Sequence, residues 1–216
     1  MAFREAHSDV DVSASYGSSG TFYAQLLNQA PFDLFLSADL GFTRQLAERS
    51  LTVPGSDFTY AAGRIVLWVR ASSPIDVGRL GMKALEADDV SHVAIANPEH
   101  APYGRAAQAA MHAAGVYDLV KPRLVLGENV SQALQFVQSG SADIGIVALS
   151  LVLSPTLAGA GRFWEVPPDR YPRLEQGGTI LRWASNPAAA WQFRSLMLGD
   201  EGRAVLGRYG FFLPGA

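Results

Sequence analysis

The sequence predicts an α/β protein built as two Rossmann-like lobes, with mixed, mainly parallel sheets joined by two crossover segments. Three observations predict it. Short β-rich runs alternate with longer amphipathic runs, the rhythm of sheets faced by helices. The chain has 216 residues, which suits two lobes of about 100 residues each. Two runs read as extended segments passing between lobes: Arg64–Arg70, followed by Ala71-Ser72-Ser73-Pro74, and Thr179–Trp183, preceded by Gln176-Gly177-Gly178. The first lobe is then 1–70 plus 170–216 and the second 71–169. A ligand cleft is expected between them, where strand carboxyl ends and helix amino ends collect.

In chain order, the strands are expected at Asp11–Ser15, Asp33–Ser37, Arg64–Arg70, His92–Ala96, Arg123–Leu126, Asp143–Val147, Phe163–Val166 and Thr179–Trp183. Helices are expected at Gly20–Gln29, Leu40–Glu48, Arg105–Ala114, Ser131–Ser139, Ala188–Leu198 and Asp200–Tyr209. The helix after Asn129 shows the periodicity most plainly. Val130, Ala133, Leu134, Phe136 and Val137 share one face, Gln132, Gln135 and Gln138 take the other, and Gly140 is its stop.

Composition excludes several functions. Lys plus Arg is 17 against 20 for Asp plus Glu, a net charge of −3 with no basic cluster, so no nucleic-acid partner is expected. No apolar run approaches the ~20 residues of a membrane span. With no cysteine there is no disulfide, thiolate nucleophile or Cys-based metal site, and the four His lack metal-ligand spacing. The opening Met1–Ser8 has no apolar signal core, so the sequence as given carries no export signal.

Three motifs carry chemistry. Tyr16-Gly17-Ser18-Ser19-Gly20-Thr21 follows an expected strand and opens a helix. Its glycines allow close backbone approach, and its hydroxyls and first-turn N–H groups all donate, which makes an anion site. The competing reading is that Ser18 or Ser19 merely caps the helix. No Gly-Lys-Ser/Thr follows, so this is no P-loop, and neither Ser sits in a nucleophile elbow. In Ala96-Asn97-Pro98-Glu99-His100-Ala101-Pro102-Tyr103-Gly104, Pro102 presets the helix start and leaves the N–H groups of Tyr103 and Gly104 without an intrahelical acceptor. Taken alone it is a turn. In Gly127-Glu128-Asn129-Val130-Ser131-Gln132, Asn129 and Gln132 make a variant capping box that turns the Val130 N–H out of the helix end.

Three helix amino ends converging on a cleft would each supply about half a positive charge and free N–H donors. That suits a dianion without Lys or Arg. The same loops hold no paired carboxylates, no Ser–His–Asp grouping and no metal triad. The expectation is a binding protein rather than an enzyme, with no cofactor.

These motifs resemble the molybdate-binding proteins of bacterial ABC importers, which have the type II periplasmic-binding fold. The resemblance rests on Tyr16–Thr21 followed by Ala30-Pro31-Phe32-Asp33-Leu34-Phe35-Leu36-Ser37-Ala38-Asp39. It continues through Asn97–Gly104, Glu128-Asn129-Val130 with Gln132-Ala133-Leu134, and Ala142-Asp143-Ile144-Gly145-Ile146-Val147, and closes on Arg208-Tyr209-Gly210-Phe211. It implies an extracytoplasmic, periplasmic receptor that closes on molybdate or tungstate and hands it to a membrane permease. Ser18, Ser19, Thr21, Tyr103 and Val130 are the implied ligand-binding residues, and Gly17, Gly20, Pro102, Asn129 and Ala148 the implied pocket lining. No side chain ligates the metal directly. Many members carry a Tyr donor where this chain has Ala148, and a small residue where it has Tyr103, so the resemblance is to the subgroup in which Tyr103 takes over.

Family members begin with a signal peptide and a first strand whose terminal loop also contacts the anion, and this sequence starts downstream of both. The implied consequences are a first lobe lacking its first strand, unpaired backbone at Asp11–Ser15 or Asp33–Ser37, intermolecular pairing with a neighbouring chain at that sheet, and reduced anion affinity. Three other readings stay open. One is a receptor for sulfate or phosphate, the latter needing Asp33, Asp39 or Glu128 to turn inward. Another is a small α/β hydrolase with Ser19 as nucleophile and His100 as base. The last is the effector-sensing domain of a regulator.

Overall fold

A computed structural model describes residues 2–214. The strands are β1 (Leu34–Ser37), β2 (Phe58–Gly63), β3 (Ile65–Arg70), β4 (Val93–Ala96), β5 (Leu124–Gly127), β6 (Ile144–Ala148), β7 (Gly161–Glu165) and β8 (Leu174–Ile180). The helices are α1 (Ala2–Ala6), α2 (Ser19–Leu27), α3 (Leu40–Glu48), α4 (Val77–Leu80), α5 (Pro102–Ala113), α6 (Tyr117–Val120), α7 (Val130–Ser139), α8 (Leu149–Val152), α9 (Pro187–Leu198) and α10 (Asp200–Arg208).

The strands form two sheets, one per lobe: β1-β8-β2, and β5-β4-β6-β3-β7. Among the described residues, parallel pairing is confined to β4–β5 and β4–β6, and every other ladder is antiparallel. The larger sheet is covered on both faces, and period two shows how. Ile65, Leu67, Val69, Val93, Ile95, Ile144 and Ile146 pack with Ala106, Ala107, Ala110 and Met111 of α5. Val66, Trp68, Ala94 and Val147 pack with Ala133, Leu134 and Val137 of α7. In the smaller lobe, Phe35 joins Leu26 of α2 and Leu46 of α3, while Phe58 and Tyr60 face Met197, Leu198 and Leu206 of α9 and α10.

The sheets shift three expectations. β3 belongs to the larger sheet, so the lobes divide at Gly63–Ile65 rather than after residue 70. The return crossover is 166–173 between β7 and β8 rather than Thr179–Trp183. Beyond β8, Leu181 forms an isolated bridge to Thr52 and donates its N–H to the Asp33 carbonyl (2.9 Å). Asp11–Ser15 is no strand. A strand exists through its ladder, and this exposed stretch has no strand partner among the described residues. β1 likewise pairs with β8 alone, leaving its other edge open among the described residues.

The crossovers are tied together. Arg64 donates from Nε to Glu165 (2.5 Å) and lies over the Phe212 ring. Ile65 N–H donates to the Tyr171 hydroxyl (3.4 Å), and Val166 N–H to the Ile65 carbonyl (3.1 Å).

Candidate functional site

The amino ends of α2, α5 and α7 meet at one cavity of about 150 Å³ between the lobes. At α2, Ser18 is the N-cap: its Oγ accepts from the Thr21 N–H (3.2 Å) and shares a 2.7 Å hydrogen bond with the Thr21 hydroxyl. Ser19 follows, buried, with its Oγ accepting from Ala38 N–H at the end of β1 (3.0 Å). That acceptance fixes the rotamer and leaves the hydroxyl proton free to donate.

At α5, Pro102 has no N–H, and the Gly104 N–H folds back onto the Ala101 carbonyl (3.0 Å). Gly104 also lets the helix start press onto β4, since a β-carbon there would overlap the Ala96 carbonyl. At α7 the capping box forms: Asn129 accepts from the Gln132 N–H (3.0 Å), and the Gln132 side chain accepts from the Glu128 N–H (2.6 Å). The backbone N–H groups of Ser19, Tyr103 and Val130 have no acceptor among the described residues.

Around these donors lie Gly17, Ser18, Pro102 and Asn129, the end of β1 from Leu36 to Ala38, Ala101, and, as the floor, Tyr60 and Gln176. Among the described residues no Lys, Arg, His, Asp or Glu lines the cavity. Burial pushes the Tyr60 hydroxyl well above its ordinary pKa, and does the same to Tyr103, where neighbouring Tyr60 and Tyr171 add to the effect. All three stay neutral. A larger but shallow depression lined by Trp68, Arg70, Ser72 and Ala160 has no convergent helix ends. Among the described residues no cluster of His, Asp or Glu could hold a metal ion.

Of the expected residues, Gly17, Ser18, Ser19, Pro102, Tyr103, Asn129 and Val130 come together. Three do not line the cavity. Thr21 spends its hydroxyl on Ser18. Gly20 gives its N–H to the His100 carbonyl across the cleft (3.0 Å). Ala148 is buried in the apolar cluster that also holds the Tyr103 ring. His100 turns its Nε2 to the Glu128 carbonyl (3.1 Å) and is not bonded to Ser19, so no Ser–His pair forms.

Sequence reasoning missed Ser37, Tyr60 and Gln176. The signal for the last two was faint. Tyr60 sits at a bulge in β2, where the register with β8 shifts between Thr59 and Ala61, and bulges re-aim side chains. Gln176 precedes Gly177-Gly178 inside β8, and interior glycines mark close approach. A β-carbon on Gly178 would lie 2.5 Å from the Phe58 ring.

Residues 1–212 match the family described as bacterial extracellular solute-binding protein. The molybdate-binding protein ModA of Rhodobacter capsulatus is 40% identical over 200 residues, 93% of this chain and 77% of the relative. The protein of that name from Azotobacter vinelandii is 38% identical over 202 residues, 94% of this chain and 79% of the relative. The solved periplasmic molybdate-binding protein of Azotobacter vinelandii superposes with a TM-score of 0.90 at 35% identity, covering 99% of this chain and 91% of that one. Helix amino ends facing a cleft between two lobes, with this extent of likeness, give one conclusion: the chain belongs to the bacterial extracellular solute-binding protein family.

Proposed function

We propose that this chain is a non-enzymatic, extracytoplasmic receptor that captures molybdate between its lobes and delivers it to the permease of an ABC importer. The observation that carries the reading is the convergence of three free backbone N–H groups and the Ser19 hydroxyl on a cavity without a charged side chain. The likeness to proteins named as molybdate-binding supports it. In the closed position the ligand draws on donors of both lobes at once: Ser19 from the smaller, Tyr103 and Val130 from the larger. Such a ligand favours closure because only the closed form offers both sets.

A neutral donor set suits a fully ionised tetrahedral dianion. Phosphate at neutral pH carries a proton that asks for an acceptor, but Asp33, Asp39 and Glu128 do not line the cavity. Asp39 instead pairs with Arg105, and Asp33 accepts from Ser185. Tungstate has the charge and shape of molybdate and belongs to the same proposal, with pocket volume separating both from sulfate. The periplasm is the compartment this reading implies. Thermal melting in the presence of molybdate, tungstate, sulfate and phosphate tests it: the first two raise the midpoint by mass action and the others do not. A rise with phosphate alone would replace the ligand.

The open edge of β1, with Leu36 38% exposed, supports a second reading, pairing of this sheet with a strand of a neighbouring chain. Light scattering tests it, and a strictly monomeric protein at high concentration overturns it.

A further inference from the structure

Tyr103 has two ends, its N–H and its phenol, and the second lies beside Gln176 of the cavity lining. Its N–H opens the first turn of α5 at the cavity. Its phenol runs from the larger lobe into the crossover, where the hydroxyl sits against Gly63, the last residue of β2. A β-carbon on Gly63 would overlap the hydroxyl oxygen and lie 3.1 Å from the ring carbon bearing it and 2.9 Å from Gln176 Nε2. The ring has no room to retreat, being 9% exposed and packed in the core cluster that includes Tyr171. Gln176 is held in turn by its own donation to the Leu174 carbonyl (3.0 Å). Among the described residues the Tyr103 hydroxyl has no hydrogen-bond partner, so what fixes it is fit against backbone.

We propose that this seat is the stop that sets how far the lobes close: Tyr103 presents its N–H to the anion only when its phenol rests on Gly63, which makes Gly63 and Gln176 positioning residues for capture. The inference rests on the anion-binding reading above. It follows from the geometry of a rigid aromatic side chain. Moving the phenol tip moves the first turn of α5, and with it the Tyr103 N–H, relative to Ser19 on the other lobe. A glycine at 63 is what permits the approach.

The test is a double-substitution cycle on the full chain: wild type, Gly63→Ala, Tyr103→Phe and both together. Molybdate affinity is measured by calorimetry and lobe closure by small-angle scattering. Overpacking the seat weakens binding about ten-fold or more when Tyr103 is present. In the Tyr103→Phe background, with the hydroxyl gone, the same Gly63→Ala change costs about three-fold or less. The radius of gyration follows the same pattern, larger for Gly63→Ala alone. An equal cost in both backgrounds, or none in either, overturns the proposal. Should Gly63→Ala alone fail to fold, a cooperative melt regained in the double variant reports the coupling, and no recovery refutes it. If wild type binds no molybdate, the functional reading fails by itself, while the scattering cycle still decides the stop.

Discussion

Arg105 of α5 donates to the Asp39 carboxylate at the N-cap of α3 (2.5 Å), closing the mouth of the cleft from opposite lobes. The other Asp39 oxygen accepts from the Gly41 N–H (2.7 Å), so the carboxylate is oriented by its own helix before the Arg arrives. Both side chains remain more than a third exposed, and such pairs contribute about 0.2–1 kcal/mol. Arg105→Ala is expected to weaken molybdate binding about two- to five-fold. The difference from wild type should shrink in about 0.5 M salt, where screening is strong. A salt-independent loss measured by calorimetry would mean that Arg105 acts through packing.

Ser19 is the hydroxyl most exposed to test. Its acceptor side is occupied by the Ala38 N–H, and its proton is free. Ser19→Ala removes a charge-assisted donor and leaves Ala38 N–H without its acceptor, so binding should weaken by about 1–3 kcal/mol. Ser18→Ala acts differently. It removes the α2 cap, so it should lower the melting temperature of the ligand-free protein, with a cost of about 1 kcal/mol. Calorimetry beside melting separates the two, and equal effects of both substitutions on both readouts would contradict the assignment.

Gly20 marks where the lobes touch without side chains. A β-carbon there would lie 2.6 Å from the His100 carbonyl oxygen and 3.0 Å from its α-carbon. Gly20→Ala is therefore expected to hold the lobes apart and weaken binding about ten-fold. Gly78→Ala, where no atom comes closer than 3.5 Å, is the control that leaves binding unchanged. Scattering in saturating molybdate checks the geometry, with Gly20→Ala the more open of the two.

The buried tyrosines should hold their protons past the pH at which an ordinary phenol loses its own. Burial raises the pKa of Tyr60, Tyr103 and Tyr171 above the ordinary value. The unfolded chain then loses these protons from about pH 10 while the folded chain keeps them. The unfolded state binds fewer protons in that range, so stability is intact below pH 10 and falls as pH rises further. Urea unfolding between pH 8 and 11 measures the fall, and Tyr60→Phe should flatten it. A stability flat across that range would contradict the burial of these hydroxyls.

Much of this arrangement is legible in the residues themselves. Asn129 and Gln132 specify a cap, and the cap is there, with the side chain of Gln132 reaching Glu128 rather than Asn129. Gly140 ends α7 in the left-handed region at φ 86°. The apolar run of β3 is a buried strand, yet its sequence does not say which sheet it joins, because a run buried on both faces fits the interior of either lobe. β2 and β8 escape notice for the opposite reason. Phe58-Thr59-Tyr60-Ala61-Ala62-Gly63 and Leu174-Glu175-Gln176-Gly177-Gly178 are rich in small residues, and a bulge breaks the alternation. The floor of the cavity sits on those two strands, so Tyr60 and Gln176 go unseen with them. Asp11–Ser15 alternates like a strand but has no ladder to join among the described residues.

The central claim is that neutral donors from both lobes bind a tetrahedral dianion, and the most direct measurement is calorimetric titration of molybdate into the protein with sulfate in excess. One saturable site per chain that survives the sulfate is the predicted result. Absence of molybdate heat, or heat abolished by sulfate, would contradict the account.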